Sequence, residues 1–415
     1  MKRILLFLLL VIGLTTYKVA ADDEFSIAAK GAIAVDVTSG KILYEKDSQS
    51  PVEVGSISNL LTTYLVYEAI DKGQFNMDSF VDISDNAYYL TNNIDFTNLS
   101  MEARRYKVRD LLQASLLASS HGATVALAEK VAGSEDKIVQ MMNAKLQEWG
   151  ITDATLVNSS GLNTKLVEEE TTTKTDAEKA TENKFSAYDI AVIARHLITD
   201  FPKVTDITSK VKGDFSGIEL DNYNYMLKDQ PNFRLGVDGL KAGSSETDGI
   251  SFVASTTQDG MRLITVVLGV DEIDGDPYAP FVATASLMNY IAQHYTQTTI
   301  LKAGDAYEDS KVSITDGKKA TIPAVAEKDF KVIQRIGSQA DYKISFTSLK
   351  KTYLAPISKK TKVGTLTYED PELVGQGYLE NKQPSISMVP SKKVEKSIFL
   401  KVWWNQFVRF VNEKL

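Results

Sequence analysis

Two apolar segments, residues 250–257 and 261–270, constrain the fold of this chain more than any other part of it. They are separated by Gln258-Asp259-Gly260, and an Asp-Gly turn between two such segments is a strong signal for a β-hairpin. The run LITVVL at 263–268 is almost continuously apolar. A strand of that composition is typically buried on both faces. The sequence therefore predicts a strand at the centre of a sheet.

The remaining pattern up to residue 296 alternates between strands and helices. Residues 32–37 and 42–44 flank a glycine turn and predict a hairpin near the N-terminus. Apolar residues at helical spacing predict helices over 57–70, 108–117, 123–132, 134–149, 186–198 and 280–295, with Ser134 as an N-cap. Residues 163–184 are rich in Thr, Glu and Lys and predict an exposed loop. Strands at both ends with helices between them indicate an α+β architecture with an antiparallel sheet.

The last third of the chain has a different pattern. Short alternating segments at 331–333, 342–346 and 363–368 lie between polar turns, which predicts a small all-β domain over residues 297–390. A chain of 415 residues is long enough for two or three domains. The β domain contains no cluster of acids, bases or ligating residues, so we expect it to act as a spacer or a binding module.

The N-terminus has the composition of a secretory signal peptide. Lys2 and Arg3 precede an apolar run at 4–14, and Val19-Ala20-Ala21 provides a small-residue cleavage site. We expect residues 1–21 to be removed and the domain at 22–296 to be exported to the outer face of the cytoplasmic membrane. The formal net charge of -8 argues against nucleic-acid binding. With three histidines and no cysteine, no metal or other cofactor is expected.

Residues 398–415 predict an amphipathic helix. Its large apolar side chains recur at helical spacing against polar ones, and its aromatic residues are Phe399, Trp403, Trp404, Phe407 and Phe410. Such a helix is too polar to cross a bilayer and suits the membrane surface, where tryptophan is enriched. The preceding basic segment at 391–396 is then a solvated tether. The alternative is a final helix that packs on its own domain.

The segment Gly55-Ser56-Ile57-Ser58-Asn59 precedes a long apolar helix and resembles a serine acylation motif. The pattern Ser-x-x-Lys is weak by itself, since it also occurs by chance at 134–137, 209–212 and 348–351. The positive end of the helix favours negative charge that develops near the serine. The long apolar helix directly after the serine is a more selective signal than the four-residue pattern, although Asn59 stands where the motif has lysine.

Several further segments occur in the order found in one family of cell-wall proteins. They are GKILY at 40–44, the helix at 60–70, ATVALAEKVAG at 123–133, GVDGLK at 236–241 and the C-terminal amphipathic segment. Over nearly its whole length the chain resembles the low-molecular-weight penicillin-binding proteins, which are serine D-alanyl-D-alanine carboxypeptidases, and specifically the streptococcal type. The resemblance implies a penicillin-recognising, β-lactamase-like domain followed by a small all-β domain and an amphipathic helix.

The resemblance assigns Ser56 as the nucleophile and places Asn59 at the position of the family's base lysine. An amide has no group that accepts a proton near neutral pH. Loss of a general base typically costs ~10² to ~10⁴ in rate. The alternative is that Ser56 is a helix N-cap serine that remains in a protein whose catalytic activity has been lost.

The other two family motifs are also altered. The Ser-x-Asn motif falls on Ser119, Ser120 and His121, and the Lys-Thr-Gly motif falls on Lys241, Ala242 and Gly243. The resemblance implies a proton relay at Ser119 and anion binding by Lys241. His121 is either a surrogate base that acts on Ser56 through Ser119 or a filler of the vacated site. Ala242 lacks the threonine hydroxyl, for which Ser244 or Ser245 is a candidate replacement.

Two functions fit these observations. The first is a membrane-attached carboxypeptidase that removes the terminal D-alanine of peptidoglycan stem peptides through an acyl-Ser56 intermediate and reacts with β-lactams. The second is a non-catalytic protein that binds muropeptides or scaffolds cell-wall enzymes. Because all three motifs are altered, we expect the activity to be weakened or lost.

Overall fold

The computed structural model describes residues 25–92, 99–166, 181–270 and 276–414. The expected signal peptide at 1–21 lies outside the described residues. The strands are β1 Gly31–Asp36, β2 Ile42–Lys46, β3 Val52–Glu53, β4 Phe80–Asp82, β5 Arg105–Lys107, β6 Lys184–Phe185, β7 Lys212–Phe215, β8 Ile218–Asp221, β9 Val237–Ser245, β10 Gly249–Gln258, β11 Met261–Val270, β12 Tyr295–Leu301, β13 Ala306–Thr315, β14 Thr321–Ala326, β15 Phe330–Arg335, β16 Lys343–Ser348, β17 Tyr353–Leu354, β18 Gly364–Glu369 and β19 Ser385–Pro390. The helices are α1 Asn59–Asp71, α2 Asp85–Asn92, α3 Val108–Leu116, α4 His121–Ala132, α5 Glu135–Glu148, α6 Ala187–Asp200, α7 Thr205–Thr208, α8 Ala279–His294 and α9 Phe399–Lys414.

A five-stranded antiparallel sheet organises the first domain. Its strand order is β2-β1-β11-β10-β9, so the strand with the LITVVL run lies at the centre as predicted. Strand β1 pairs with one edge of β11 and β10 pairs with the other. The nearly continuous apolar sequence follows from this position, because a central strand contacts packed side chains on both faces.

Alternate residues of β1 point into two different cores. Ile33 and Val35 belong to the large cluster that contains α1, α4 and α6, whereas Ala32 and Ala34 belong to the cluster that contains α8. Successive side chains of a strand point to opposite faces of the sheet. The sheet is therefore covered by helices on both sides, which confirms the predicted fold class.

Serine side chains cap the N-termini of three helices, α4, α5 and α6. Ser134 caps α5 by accepting a hydrogen bond from the Lys137 amide, as predicted. Ser120 caps α4 in the same way through the Ala123 amide. Ser186 and Asp189 form a reciprocal capping box at the start of α6. Each cap satisfies a backbone amide that the helix itself leaves unpaired.

The structure corrects part of the predicted loop at 163–184. Residues 167–180 lie outside the described residues, but Glu182 and Asn183 are buried rather than exposed. The Asn183 carbonyl oxygen accepts hydrogen bonds from the amides of Val157 and Asn158 at 2.6 and 3.1 Å. This end of the loop is therefore part of the domain, held by an amide side chain that composition did not distinguish from a solvated one.

The second domain is built from strands. Its larger sheet has the order β16-β18-β19-β14-β13-β17, and β12 pairs with β15 beside it. A separate apolar cluster fills this domain, with Val363, Leu366 and Met388 fully buried. The following segment, expected to be a solvated tether, is instead bridged to the domain: Val394 pairs with Ile357, and Lys396 pairs with Gly317. Its backbone groups find partners in the sheet, so it is ordered.

Helix α9 contacts the second domain through its polar face. Asn405 and Arg409 both donate hydrogen bonds to the buried Asp316 carboxylate, at 3.2 and 2.9 Å. The aromatic side chains on the rest of the helix are all exposed, namely Phe399, Trp403, Trp404, Phe407 and Phe410. Within the described ranges, no helix combines the length and apolar character needed to cross a membrane.

A buried ion pair joins the two domains. Lys41, in the turn between β1 and β2, lies 2.5 Å from the Asp370 carboxylate, and both side chains are buried. The Lys41 ammonium also donates to the Ile333 carbonyl at 2.9 Å. Nearby, the Leu379 amide donates to the Gly40 carbonyl at 2.8 Å. The domains therefore meet in a hydrogen-bonded junction with little access for water.

Replacing Asp370 by alanine should destabilise the protein by ~3–5 kcal/mol, because the buried Lys41 charge loses its partner. Thermal unfolding followed by circular dichroism measures the change. As a control, Lys343→Ala removes the exposed Lys343–Glu369 contact and should leave the midpoint unchanged. An Asp370→Ala protein as stable as the wild type would contradict the role given to this pair.

Candidate active site

Ser56 lies in a tight turn immediately before α1. The turn is a 3-10 segment, Gly55–Ser58, so the α-helix begins at Asn59 rather than at Ile57. The Ser56 hydroxyl donates a long hydrogen bond of 3.5 Å to the Ala242 carbonyl of β9. No side-chain cap bond is formed at the start of this turn or of α1. The N-cap alternative for Ser56 is therefore wrong, and its hydroxyl points toward the edge strand of the sheet.

Three glycines allow the backbone around Ser56 to pack closely. A Cβ atom on Gly55 would lie 2.0 Å from the Ser244 carbonyl oxygen, and one on Gly161 would lie 1.9 Å from the Gly55 oxygen. A Cβ on Gly243 would lie 2.9 Å from the Ile57 nitrogen. Real side chains do not tolerate such distances to backbone atoms. The turn is thus held between β9 and the loop at 158–163 by main-chain contacts.

Asn59 is fully buried one helical turn after Ser56. Its amide nitrogen donates to the Ser115 carbonyl of α3 at 3.4 Å. Its carbonyl oxygen has no hydrogen-bond partner among the described residues. A neutral amide in this position cannot take the proton of Ser56. In the structure, Asn59 therefore joins two helices, α1 and α3.

Ser119 and Lys241 form a close contact across the cleft. Ser119 has a positive φ of 56°, which is uncommon for a residue with a side chain. Its hydroxyl contacts the Lys241 ammonium, which also donates to the Ala242 carbonyl at 3.1 Å. Lys241 is 1% exposed, and this burial lowers its pKa to about 7. Ser56 and Lys241 share the Ala242 carbonyl as an acceptor, so the two predicted residues converge.

His121 is the first residue of α4, two residues after Ser119. Its Nδ1 atom is 3.1 Å from the Ser160 hydroxyl. Burial, and secondly the charge of Lys241, lower the pKa of the imidazole to about 4. The ring is therefore neutral near pH 7 and is a weaker base than an exposed histidine. These contacts favour a role in holding the loop at 158–163.

The hydroxyl groups after Gly243 differ in their surroundings. Ser245 is buried, and its hydroxyl donates to the Glu53 carboxylate at 3.3 Å. Ser244 is exposed. The Ala242 side chain packs against the apolar cluster that contains Phe252. Of the two candidate replacements for the threonine hydroxyl, Ser244 is the one that is available to a ligand.

Two buried carboxylates beside the cleft were not predicted. Glu53 ends β3, and Glu182 is 2% exposed. Burial first, and repulsion from Glu53 among the further causes, raise the pKa of Glu182 to about 7. Their positions are 129 residues apart in a chain without internal repeats, and neither lies in a motif. No signal in the sequence brings them together.

The family models match both parts of the chain. A model described as D-alanyl-D-alanine carboxypeptidase matches residues 16–272, which is more than half of the chain. The chain belongs to the D-alanyl-D-alanine carboxypeptidase family. A second model, the C-terminal domain of penicillin-binding protein 5, matches residues 295–396 of this family member.

Individual proteins of known structure or function support the same relationship. The crystal structure of PBP3 from Streptococcus pneumoniae, described as a peptidoglycan synthesis regulatory factor, is 49% identical, covers 89% of this chain and 100% of that chain, and has a TM-score of 0.85. D-alanyl-D-alanine carboxypeptidase DacF of Bacillus subtilis is 26% identical over 99% of this chain and 100% of its own length. Penicillin-binding protein D2 of Listeria monocytogenes, solved with ampicillin bound, is 26% identical over 65% of this chain and 98% of that chain, with a TM-score of 0.53. The resemblance inferred from the motifs is confirmed.

The lowered pKa of Lys241 predicts that this residue lowers the free energy of unfolding by an amount that depends on pH. Below about pH 7 the amine is protonated in both the folded and unfolded states, and the folded state bears the full cost of a buried charge. Above about pH 7 and up to about pH 10, the unfolded chain binds more protons, so stability rises with pH by at most ~1.4 kcal/mol per unit.

We therefore expect Lys241→Met to stabilise the protein near pH 6 and to lose most of this advantage at the upper end of that window. Paired thermal melts of the two proteins at the two pH values provide the measurement. Lys210→Met, at an exposed position, is the control for a general charge effect. A gain in stability that is the same at both pH values would contradict the buried, shifted amine.

Proposed function

We propose that the Ser56 cleft binds the D-alanyl-D-alanine end of peptidoglycan stem peptides and that its carboxypeptidase activity is weakened or lost. The observation that carries this proposal is Asn59. It occupies the base position, and its amide is bound to the Ser115 carbonyl. The rest of the cleft is retained, since Ser56, Ser119 and Lys241 lie around the Ala242 carbonyl.

Lys241 supports binding of the peptide's C-terminal carboxylate. It is a buried cation that contacts only neutral oxygens in the described structure, those of Ser119 and Ala242. An anion beside it would favour the protonated amine and recover part of the cost of burying it. The Ser244 hydroxyl lies on the same strand, three residues after Lys241, and is exposed. The proposed ligand is thus a peptide with a free C-terminal carboxylate.

Catalysis requires removal of the Ser56 proton, and the residues around it perform this step poorly. Asn59 has no basic atom, and the His121 imidazole contacts Ser160. With the family's base absent, acylation should be slower by ~10² to ~10⁴. Binding and catalysis are then separable in this protein, because the recognition groups remain and the proton acceptor does not.

Covalent labelling with a fluorescent β-lactam, followed by denaturing electrophoresis, tests the chemistry. We expect little or no label on the wild type and an increase of ~10² or more in the labelling rate for the triple variant Asn59→Lys, His121→Asn and Ala242→Thr. Adding Ser56→Ala to the triple variant should abolish the label. Rapid labelling of Ser56 in the wild type would refute the loss of activity.

We also propose that the protein is exported and that α9 attaches it to the outer surface of the cytoplasmic membrane. The aromatic side chains of α9 are exposed while its polar face is bound to Asp316. Exposed tryptophan and phenylalanine on one helix suit the interface between lipid and water. The overall net charge of -8 does not attract anionic lipid, so burial of the aromatic groups has to supply the affinity.

Deletion of residues 398–415 tests this attachment. The full chain should sediment with phospholipid vesicles, and the truncated chain should remain in the supernatant. Replacing Trp403 and Phe407 by serine should weaken binding almost as much, because it removes apolar area and leaves the polar contacts with Asp316 in place. Sedimentation of the truncated chain at the wild-type level would show that α9 is not the anchor.

A further inference from the structure

The charge of this protein is distributed unevenly between its two domains. Residues 297–415 contain 20 Lys and Arg against 13 Asp and Glu, so this part of the chain is positively charged although the formal net charge of the whole is -8. A surface that approaches the protein is affected mainly by charges within a Debye length, ~8–10 Å at physiological salt. The local charge of the second domain therefore decides which partners this domain attracts.

Seven exposed lysines lie together at one end of the second domain. They come from three segments that the fold brings together, namely the turn between β13 and β14, the loop that follows Ile357 and the segment that precedes α9. We call this group the lysine patch. Its members are Lys318, Lys319, Lys359, Lys360, Lys392, Lys393 and Lys396.

Backbone hydrogen bonds hold the three segments of the patch against one another. The Lys318 amide donates to the Glu395 carbonyl at 2.9 Å. Ile357 and Val394 exchange two backbone hydrogen bonds, at 2.9 and 3.1 Å. The lysines are therefore brought together by the folded sheet, and their proximity does not depend on how their own side chains are arranged.

Acidic side chains neutralise only part of the patch. Glu395 pairs with it through Lys318 at 2.6 Å and through Lys393 at 3.7 Å. The other five lysines form no ion pair with any residue that the structure describes. A contact with Lys319, and secondly the charge of Lys319, lower the pKa of Lys392. Like charges thus face each other here without an acid between them.

The lysine patch lies beside the helix that carries the exposed aromatic side chains. Asp316, two residues before Lys318, accepts hydrogen bonds from Asn405 and Arg409 of α9 at 3.2 and 2.9 Å. The Ser397 amide also donates to the Asp316 carbonyl at 2.8 Å. The same end of the domain therefore presents exposed aromatic groups together with positive charge that is not neutralised.

Solubility alone does not account for this distribution. Exposed lysines are common, but a surface that only has to remain soluble mixes charges of both signs. The opposite end of β14 has such a mixture, since Lys328 stands between Glu327 and Asp329. A soluble polyanion would account for the lysines and leave the neighbouring aromatic groups without a partner. A bilayer with negatively charged headgroups accepts both.

We propose that the lysine patch is a docking surface for anionic phospholipid and gives the attachment through α9 a preference for negatively charged bilayers. This inference rests on the proposed attachment and adds the class of lipid to it. Burial of the aromatic groups supplies affinity for any bilayer, whereas the lysines gain only from negative charge. Each lysine near such a surface contributes about fivefold in affinity.

Sedimentation of the full-length protein with two kinds of vesicle tests the preference. One kind is phosphatidylcholine alone, and the other contains phosphatidylglycerol as about a third of its lipid. We expect binding to the anionic vesicles to be ~10² tighter at low salt. The preference should largely disappear at ~1 M salt, where the Debye length is ~3 Å. This salt series requires no substitution.

The triple variant Lys319→Gln, Lys360→Gln and Lys392→Gln removes three of the unpaired charges. It should lower the affinity for anionic vesicles by ~10² and leave the affinity for neutral vesicles unchanged. Because all three side chains are exposed, we expect the fold to be retained, which circular dichroism checks. On neutral vesicles, deletion of residues 398–415 reports the contribution of α9 alone.

A matched control removes the same amount of charge from the opposite end of the sheet. There the Gly304 amide donates to the Ala326 carbonyl at 2.9 Å, and the Ala303 amide donates to the Asp329 carboxylate at 3.0 Å. This control should keep the full preference for anionic vesicles. It replaces the exposed residues Lys302, Lys328 and Lys331 by glutamine.

Each contrary outcome has a distinct meaning. Equal affinities of the wild type for both vesicles would refute the lysine patch and leave the attachment through α9 standing. Binding to neither would refute the attachment together with this inference. An equal loss of preference in both triple variants would assign the preference to total charge and overturn the role of the patch. If polyphosphate binds through the patch lysines while both vesicles bind equally, the assignment to lipid is wrong.

Discussion

The geometry of the cleft depends on close backbone packing around Gly55. This residue has a positive φ of 50° and lies between the Ser244 carbonyl of β9 and Gly161 of the neighbouring loop. A methyl group on either glycine would meet a backbone oxygen at about 2 Å. Ser56 is therefore positioned by main-chain atoms of the sheet edge and of the loop.

This division between backbone and side chains is consistent with a cleft that keeps its shape with an amide at position 59. Asn59 fills the interior beside α3 and donates a hydrogen bond to the Ser115 carbonyl. Its amide is neutral, whereas a lysine at this position would add a second amine near the buried Lys241. Two buried amines close together would repel each other and lower each other's pKa. With the neutral Asn59 at this position, burial alone accounts for the lowered pKa of Lys241.

Sequence reasoning succeeded where a pattern is local or where a known family supplied the long-range information. The central strand β11 was predictable because burial on both faces requires a continuous apolar run. The α5 N-cap at Ser134 was predictable from its position before a helical pattern. The convergence of Ser56, Ser119 and Lys241 followed from the family motifs and not from spacing. The short strand pairs, such as β4 with β5, were missed because strands of three residues show no detectable periodicity.

Sequence reasoning missed the contacts at the site that join residues distant in sequence. The residues that make them are of types common at protein surfaces. Glu135 reaches Ser159, and His121 reaches Ser160, across a loop that has no motif. Glu182 lies in a segment that reads as solvated because its neighbours are polar. In each case the residue type is common at surfaces, and only the fold buries it. Such positions become visible once the loop at 158–163 is known to pack against the turn that carries Ser56.

Contacts between side chains distant in sequence also connect the cleft to the C-terminal helix α9. The Lys41–Asp370 pair joins the first domain to the second, and Asp316 binds α9 through Arg409. Between them, Val394 and Lys396 are bridged to the sheet, so the chain has no free tether at this point. A flexible tether would let α9 change its position relative to the cleft. Because the segment is bridged, the folded domains set the position of α9 relative to Ser56.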